Sequence, residues 1–215
     1  MKIPLLYPIL DADSLIGGGE GGERLPALYS RALALAEAGC TLIQYRAKRL
    51  HAGEALAQAR ELRRLLPPEI RLIMNDHADL CLAAGFEGVH VGQEDLSPEG
   101  ARRVVGDERI VGLSTHNSAQ AAEGLRKPVD YIAIGPVFAT GSKENADPAV
   151  GLAGVSEVRR LRDDCGRALP LVAIGGITRM NAAAVLKAGA DAVAVISDIL
   201  HSPGESAREF FRLMM

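Results

Sequence analysis

The sequence predicts a single-domain (β/α)8 TIM barrel spanning residues 1–215. Three observations predict it. Short apolar runs of strand length recur eight times; segments with one apolar helical face lie between them; and no linker or low-complexity tract divides the chain. The runs are 5–10, 41–45, 71–74, 88–91, 109–113, 130–135, 169–175 and 192–196. Most are continuously apolar rather than alternating, as expected of parallel strands covered on both faces. Eight alternations leave about 27 residues per unit, near the lower limit for this barrel. A doubly wound open sheet competes, but eight units without a composition break do not divide into two halves.

The intervening helices are read from spacing and punctuation. Leu25, Leu28, Ala32 and Leu35 fall at intervals of three, four and three and make one face. Ala55, Ala59, Leu62 and Leu66 make another, which Pro67-Pro68 ends. Ser97-Pro98 and Ser202-Pro203 read as an N-cap followed by proline in the first turn. Ala38-Gly39, Ala84-Gly85 and Ala188-Gly189 each read as a helix end closed by glycine before the next strand. The stretch "GGGEGGE" at 17–23 reads as a flexible loop after strand one; it lacks the lysine of a Walker motif and is given no phosphate role.

Composition excludes several classes. A net charge of −3 leaves no electrostatic footprint for nucleic acid, and no basic helix points to a membrane surface. No apolar run reaches the length of a membrane helix, and the N-terminal "MKIPLLYPIL", broken by Pro4 and Pro8, reads as a strand rather than a signal peptide. Cys40, Cys81 and Cys165 are odd in number and lack metal spacing, so a reducing, cytoplasmic setting is expected, with Cys40 and Cys81 in the core. The oligomeric state is not legible, and a homo-oligomer is compatible with the sequence.

In a barrel of this kind the chemistry sits at the C-terminal ends of the strands. Those ends carry Gln44, Arg46 and Lys48, then Asn75 and Asp76, then His90, Gln93 and Asp95, then Ser114, Thr115 and His116. The sixth brings Thr140, Ser142 and Lys143, the seventh Gly175-Gly176 and the eighth Ile196-Ser197. Gly175-Gly176 by itself reads equally as a tight turn, but with Ser197 and a short helix at 197–200 it matches the phosphate site that the last two loops of such barrels commonly form. Arg46, Lys48 and Lys143 are cations around Asp76 and Asp95. Taken singly, either aspartate reads as a helix cap or a solvated loop residue. Together with three cations they read as a Mg²⁺ site against a diphosphate, because carboxylates facing an anion need a metal between them. His77 and His90 lack the spacing of a zinc pair, and Lys143 lies in a glycine-containing loop unsuited to a Schiff base.

The segments "IQYRAK", "MNDHADL", "GVHVGQEDL", "GLSTHN", "DYIAIGPVFATGSK", "VAIGGI" and "GADAVAVISDI" resemble, in order, the thiamine-phosphate synthase family over residues 43–199. The resemblance implies a TIM-barrel transferase of thiamine biosynthesis. Hydroxymethylpyrimidine diphosphate would lose pyrophosphate, and the nitrogen of hydroxyethylthiazole phosphate would take up the pyrimidine methylene to give thiamine phosphate. It further implies that Gln44, Tyr45, Arg46, Ala47, Lys48, Asn75, Ser114 and Lys143 contact the pyrimidine diphosphate. Arg46, Lys48, Lys143 and Ser114 would be the catalytic set, and Asp76 and Asp95 the ligands of Mg²⁺. Thr140, Gly141, Ser142, Gly176, Ile196 and Ser197 would hold the thiazole phosphate. The sixth loop reads Phe-Ala-Thr-Gly-Ser-Lys where many members have proline before the threonine and threonine before the lysine; Ser142 keeps a hydroxyl. Tyr45 stands where leucine or phenylalanine is frequent. Two alternatives remain: a thiazole tautomerase using His116 as acid–base group, and a non-catalytic thiamine-pathway binding protein. The presence of Lys48, Asp76, Asp95 and Lys143 together favours the synthase.

Overall fold

The computed structural model describes residues 2–15, 21–140 and 147–214, and only the backbone of residues 15 and 21–25. Eight strands alternate with eight α-helices among the described residues: β1 (Leu6–Asp11), α1 (Gly21–Glu37), β2 (Leu42–Arg46), α2 (Ala52–Leu65), β3 (Arg71–Asn75), α3 (Ala78–Ala84), β4 (Gly88–Val91) and α4 (Pro98–Val105). The second half runs β5 (Ile110–Thr115), α5 (Ser118–Gly124), β6 (Tyr131–Ile134), α6 (Gly151–Asp164), β7 (Leu171–Ile174), α7 (Ala182–Lys187), β8 (Ala192–Val195) and α8 (Pro203–Met214). The strands pair in parallel in chain order and close, β8 lying beside β1 with Tyr7 opposite Ala194. This is the (β/α)8 barrel that the alternation predicts.

The continuous apolar runs have a physical reason in two separate cores. Tyr7, Ile9, Leu42, Ile73, Tyr131, Val172 and Ala194 fill the inside of the barrel. Their neighbours in sequence, such as Leu6, Ile43, Leu72, Ile132 and Val193, pack outward against the helices. Successive side chains of a strand point to opposite faces, so both parities are apolar when both faces are covered. Leu28, Ala32 and Leu35 on α1 and Ala55, Ala59 and Leu62 on α2 are buried as their spacing predicts, as are Cys40 and Cys81.

Local punctuation is also as read. The Ser97 hydroxyl accepts from the Gly100 N–H at 3.1 Å, capping α4. Gly39, Gly85 and Gly189 all have positive φ, which lets the chain leave each helix for the next strand. Two boundaries differ. Ser114 and Thr115 are the last residues of β5 rather than loop residues, and residues 21–23 belong to α1 rather than to a loop. The rest of the glycine-rich stretch, and the side chain of Leu25, lie outside the description.

Candidate active site

The first two strands build the cationic side of the mouth. Arg46 ends β2 and its Nη1 donates to Asp11 Oδ1, at the end of β1, at 2.6 Å; Asp13 lies 3.9 Å away. Asp13 is better engaged with backbone. It accepts from the Lys48 N–H at 2.8 Å and the Arg49 N–H at 3.2 Å, so one carboxylate fixes the turn that carries Lys48. Neither Asp11 nor Asp13 is among the site residues that the sequence predicts. A carboxylate at a strand end gives no sign of which neighbouring loop it will clamp.

Lys48 then reaches the next strand end, its ammonium 3.0 Å from Asp76 Oδ2. Asp76 is the one described non-glycine residue with positive φ, at 63°. Its backbone N–H is held by the His90 carbonyl at 2.7 Å. His77, not Asp76, occupies the N-cap of α3, which removes the helix-cap explanation for Asp76. Burial raises the Asp76 pKa from its ordinary value, the facing Asp95 carboxyl adds to the rise, and Lys48 works against both. Asp95 is held in turn by the Gly92 N–H, which donates to its Oδ2 at 2.7 Å. The two aspartates line one surface pocket with His77, Asp79, Leu96 and Val104.

Among the described residues no group of three or more His, Cys, Asp or Glu side chains could hold a metal by themselves. A pair of facing carboxylates fits a different cation, one that takes one or two carboxylates and completes its shell with water and phosphate oxygens. The like-charge contact that raises Asp76 is the feature such a cation would relieve.

Strand alternation decides which predicted residues face the mouth. Gln44 points inward and its Nε2 donates to the Tyr7 hydroxyl at 2.9 Å. Tyr45, one residue on, points outward; it is 1% exposed and its hydroxyl donates to Gln58 Oε1 on α2 at 2.8 Å. Ala47 packs against the same outer core. The Tyr45 side chain thus faces the helices, and what Tyr45 can offer a ligand at the mouth is its backbone. Asn75 and Ser114 end inward-facing positions, Ser114 Oγ lying 2.8 Å from His90 Nε2. His90 is buried in a stack on Tyr131, with ring centroids 5.4 Å apart. Desolvation pushes its pKa down to about 4.

The far side of the mouth is made by the last three loops. Val137 N donates to the Ile174 carbonyl at 2.9 Å and Phe138 N to the Gly175 carbonyl at 3.0 Å, fastening the sixth loop to the seventh. A Cβ on Gly175 would stand 2.5 Å from Pro136 Cα, and one on Gly176 2.7 Å from the Ala139 carbonyl. Both glycines also have positive φ. Their absence of side chain is thus required by a close approach of two loops. Thr140 is half-buried beside them, Ile196 packs on the inner core, and exposed Ser197 opens a single 3₁₀ turn, Ser197–Ile199, where a short helix is expected at 197–200. Asp198 in that turn accepts from the Arg179 N–H at 2.9 Å and from its Nε at 3.1 Å, joining the eighth loop to the seventh. Arg179 and Asp198 were not anticipated. Gly141, Ser142 and Lys143 lie outside the described residues. His116 donates from Nδ1 to the Gly135 carbonyl at 2.7 Å.

Fold and mouth together define a (β/α)8-barrel enzyme whose polar groups converge at the C-terminal ends of the strands. Known proteins narrow this. A family model described as thiamine monophosphate synthase matches residues 7–199. A thiamine-phosphate synthase of Koribacter versatilis is 54% identical over 214 residues, covering 100% of this chain and 97% of the relative. One from Chloroflexus aurantiacus is 40% identical, covering 75% of this chain and 73% of its own length. The solved thiamine phosphate pyrophosphorylase of Pyrococcus furiosus superposes with a TM-score of 0.80 at 29% identity, covering 97% of this chain and 94% of that one. The chain belongs to the thiamine monophosphate synthase family, and it is a transferase of thiamine biosynthesis.

Proposed function

We propose that the protein joins hydroxymethylpyrimidine diphosphate to hydroxyethylthiazole phosphate, releasing pyrophosphate and forming thiamine phosphate. The observation that carries this reading is the Lys48–Asp76 ion pair facing Asp95, with Arg46 at the neighbouring strand end. Loss of pyrophosphate leaves developing negative charge on the departing oxygens, and the barrier falls if fixed positive charge already faces them. Arg46 and Lys48 supply that charge from β2 and its turn; the resemblance gives Lys143, outside the described residues, the same role. Asp11 and Asp13 hold Arg46 and the Lys48 turn in place, so little reorganisation accompanies the departure. Asp76 and Asp95 would hold Mg²⁺, which when bound supplies further positive charge to the diphosphate.

The thiazole phosphate belongs across the mouth, at Gly176, Ile196, Ser197 and Thr140; Gly141 and Ser142, which the resemblance assigns to it as well, lie outside the described residues. Glycine lets backbone N–H groups approach an anion there. The diphosphate ionises first: the C–O bond breaks, its electron pair leaves with pyrophosphate, the electron-rich aminopyrimidine bears the cation left behind, and the thiazole nitrogen then attacks its methylene carbon. The nitrogen carries its own lone pair, so no side chain has to remove a proton to make it a nucleophile. Among the described residues no helix is long and apolar enough to cross a membrane. Free, buried Cys40 and Cys81 support a reducing, cytoplasmic setting.

The test is turnover by the purified protein with both substrates, first with Mg²⁺ and then with chelator, following thiamine phosphate. Product that requires the metal is expected. Folded protein that makes no product in either condition would overturn the synthase reading and return attention to His116.

A further inference from the structure

Five side chains form one hydrogen-bonded line through the inside of the barrel, below the mouth. Gln44 Nε2 donates to the Tyr7 hydroxyl at 2.9 Å, and the hydroxyls of Tyr7 and Tyr131 are 3.0 Å apart. The Tyr131 hydroxyl is 2.9 Å from His90 Nδ1, and His90 Nε2 is 2.8 Å from Ser114 Oγ. Four of the five are essentially out of water: Tyr131 is 0% exposed, Tyr7 1%, Gln44 2% and His90 7%. Ser114 alone is half-buried. The line therefore starts on β2, crosses β1, β6 and β4, and delivers its end to the mouth on β5.

Counting protons gives the line a direction. Each tyrosine hydroxyl has one proton to donate. With Gln44 Nε2 donating into Tyr7, the Tyr7 proton finds its acceptor in Tyr131; reversed, it would have none in the line, a costly loss in a dry interior. Tyr131 must then give its proton to His90 Nδ1. An imidazole that accepts at Nδ1 carries its single proton on Nε2, so Nε2 donates to Ser114 Oγ. The Ser114 oxygen then accepts from below with one lone pair, and its own proton is left for the mouth. Reversal is all-or-none: the Gln44 amide would have to turn over and every proton in the line move.

We propose that His90 is a positioning residue that keeps the Ser114 proton turned to the mouth as a hydrogen-bond donor, so that the mouth favours a substrate with an acceptor lone pair at that point. This rests on the reading that Ser114 faces the pyrimidine diphosphate. Two parts of that molecule carry such lone pairs, a ring nitrogen of the aminopyrimidine and an oxygen of the diphosphate. Tyr7, Tyr131 and Gln44 act through His90 and need not touch substrate to affect its recognition.

The primary test is ¹⁵N–¹H correlation of the His90 ring in the ligand-free wild-type protein. The Nε2-protonated tautomer is expected; an Nδ1-protonated ring overturns the assignment. This measurement does not depend on turnover, so a protein with the expected tautomer that makes no thiamine phosphate would refute the synthase reading and leave the line intact. The second test is Tyr131→Phe, which takes away the donor to Nδ1 and frees the tautomer. kcat/KM for the pyrimidine diphosphate is expected to fall about tenfold, the worth of one well-made hydrogen bond, with KM for the thiazole phosphate unmoved. His90→Gln, which can accept from Tyr131 and donate to Ser114, is expected to retain more activity than His90→Leu. Equal losses in the two would overturn the proposal. Inhibition by inorganic pyrophosphate and by the diphosphate-free hydroxymethylpyrimidine separates the two acceptors. Ser114→Ala weakens the first if the partner is a diphosphate oxygen and the second if it is a ring nitrogen; weakening neither overturns the proposal.

Discussion

The ammonium of Lys48 lies 3.0 Å from the carboxylate of Asp76, and this contact ties the turn after β2 to the end of β3. It places a cation next to the carboxylate whose pKa burial and Asp95 already raise. Lys48→Met keeps the length of the stem and removes the charge. It leaves Asp76 facing Asp95 without the ammonium that offsets their repulsion. kcat/KM for the pyrimidine diphosphate is expected to fall about 100-fold, the scale of losing one preorganised charge on a leaving group. Steady-state kinetics with each substrate varied in turn checks this, and KM for the thiazole phosphate should stay near its original value.

Asp95→Ala removes one member of the carboxylate pair without touching the far side of the mouth. Turnover is expected to be lost at any Mg²⁺ concentration, while the affinity for thiazole phosphate, read by calorimetry, stays nearly intact. Near-normal turnover in this variant would remove the metal assignment.

Asp13 has a different kind of role. Its side chain is only 9% exposed and takes the N–H groups of both Lys48 and Arg49. Asp13→Ala leaves two backbone donors without their acceptor, a cost of about 1–3 kcal/mol for each that stays out of water. The variant is expected to melt several degrees lower and to lose activity through misplacement of Lys48. Asp13→Asn keeps one acceptor oxygen and should recover part of both losses, which thermal denaturation and kinetics measured together would show.

Gly176→Ala tests the phosphate side of the mouth. The backbone there has φ of 63°, and the added methyl would stand 2.7 Å from the Ala139 carbonyl. Strain of this kind costs about 1–3 kcal/mol, and the sixth loop must move to relieve it. The expected signature is a raised KM for thiazole phosphate, with that for the pyrimidine diphosphate much less affected.

The barrel was legible because its rules are local. Apolar runs of strand length, glycines with positive φ after α1, α3 and α7, and Ser97 at the head of α4 each act within a few residues of their own position. Which polar residues reach the mouth was legible only as far as strand parity allows. Tyr45 and Gln44 are neighbours in one motif, yet the pleat sends them to opposite faces. The inner line was hidden for another reason. Tyr7 and Tyr131 lie 124 residues apart and look like ordinary apolar members of their strands. Only closure of the barrel brings them together. Asp11 and Asp13 were hidden in the same way, because a clamp is defined by its partner and the partner is about 35 residues further on.

His90 gives the protein a predictable weakness toward acid. Burial holds its folded pKa down at about 4, against an ordinary value of 6.5, so the unfolded chain binds the proton first as pH falls. The histidine costs nothing above pH 6.5, where it is neutral in both states. Between pH 6.5 and 4 the unfolded state gains a proton that the native state refuses, and stability declines through that window. At 1.36 kcal/mol for each tenfold in proton affinity, the full loss is about 3 kcal/mol by the bottom of it. Below pH 4 this contribution is constant, because the imidazole is then protonated in both states. Urea denaturation of wild type and His90→Gln at a series of pH values isolates the effect. The wild-type curve should fall more steeply than the variant's between pH 6.5 and 4 and run parallel to it above. Parallel curves throughout would mean that the imidazole takes up its proton in the folded barrel as readily as in the unfolded chain, and the dry environment of the inner line would have to be abandoned.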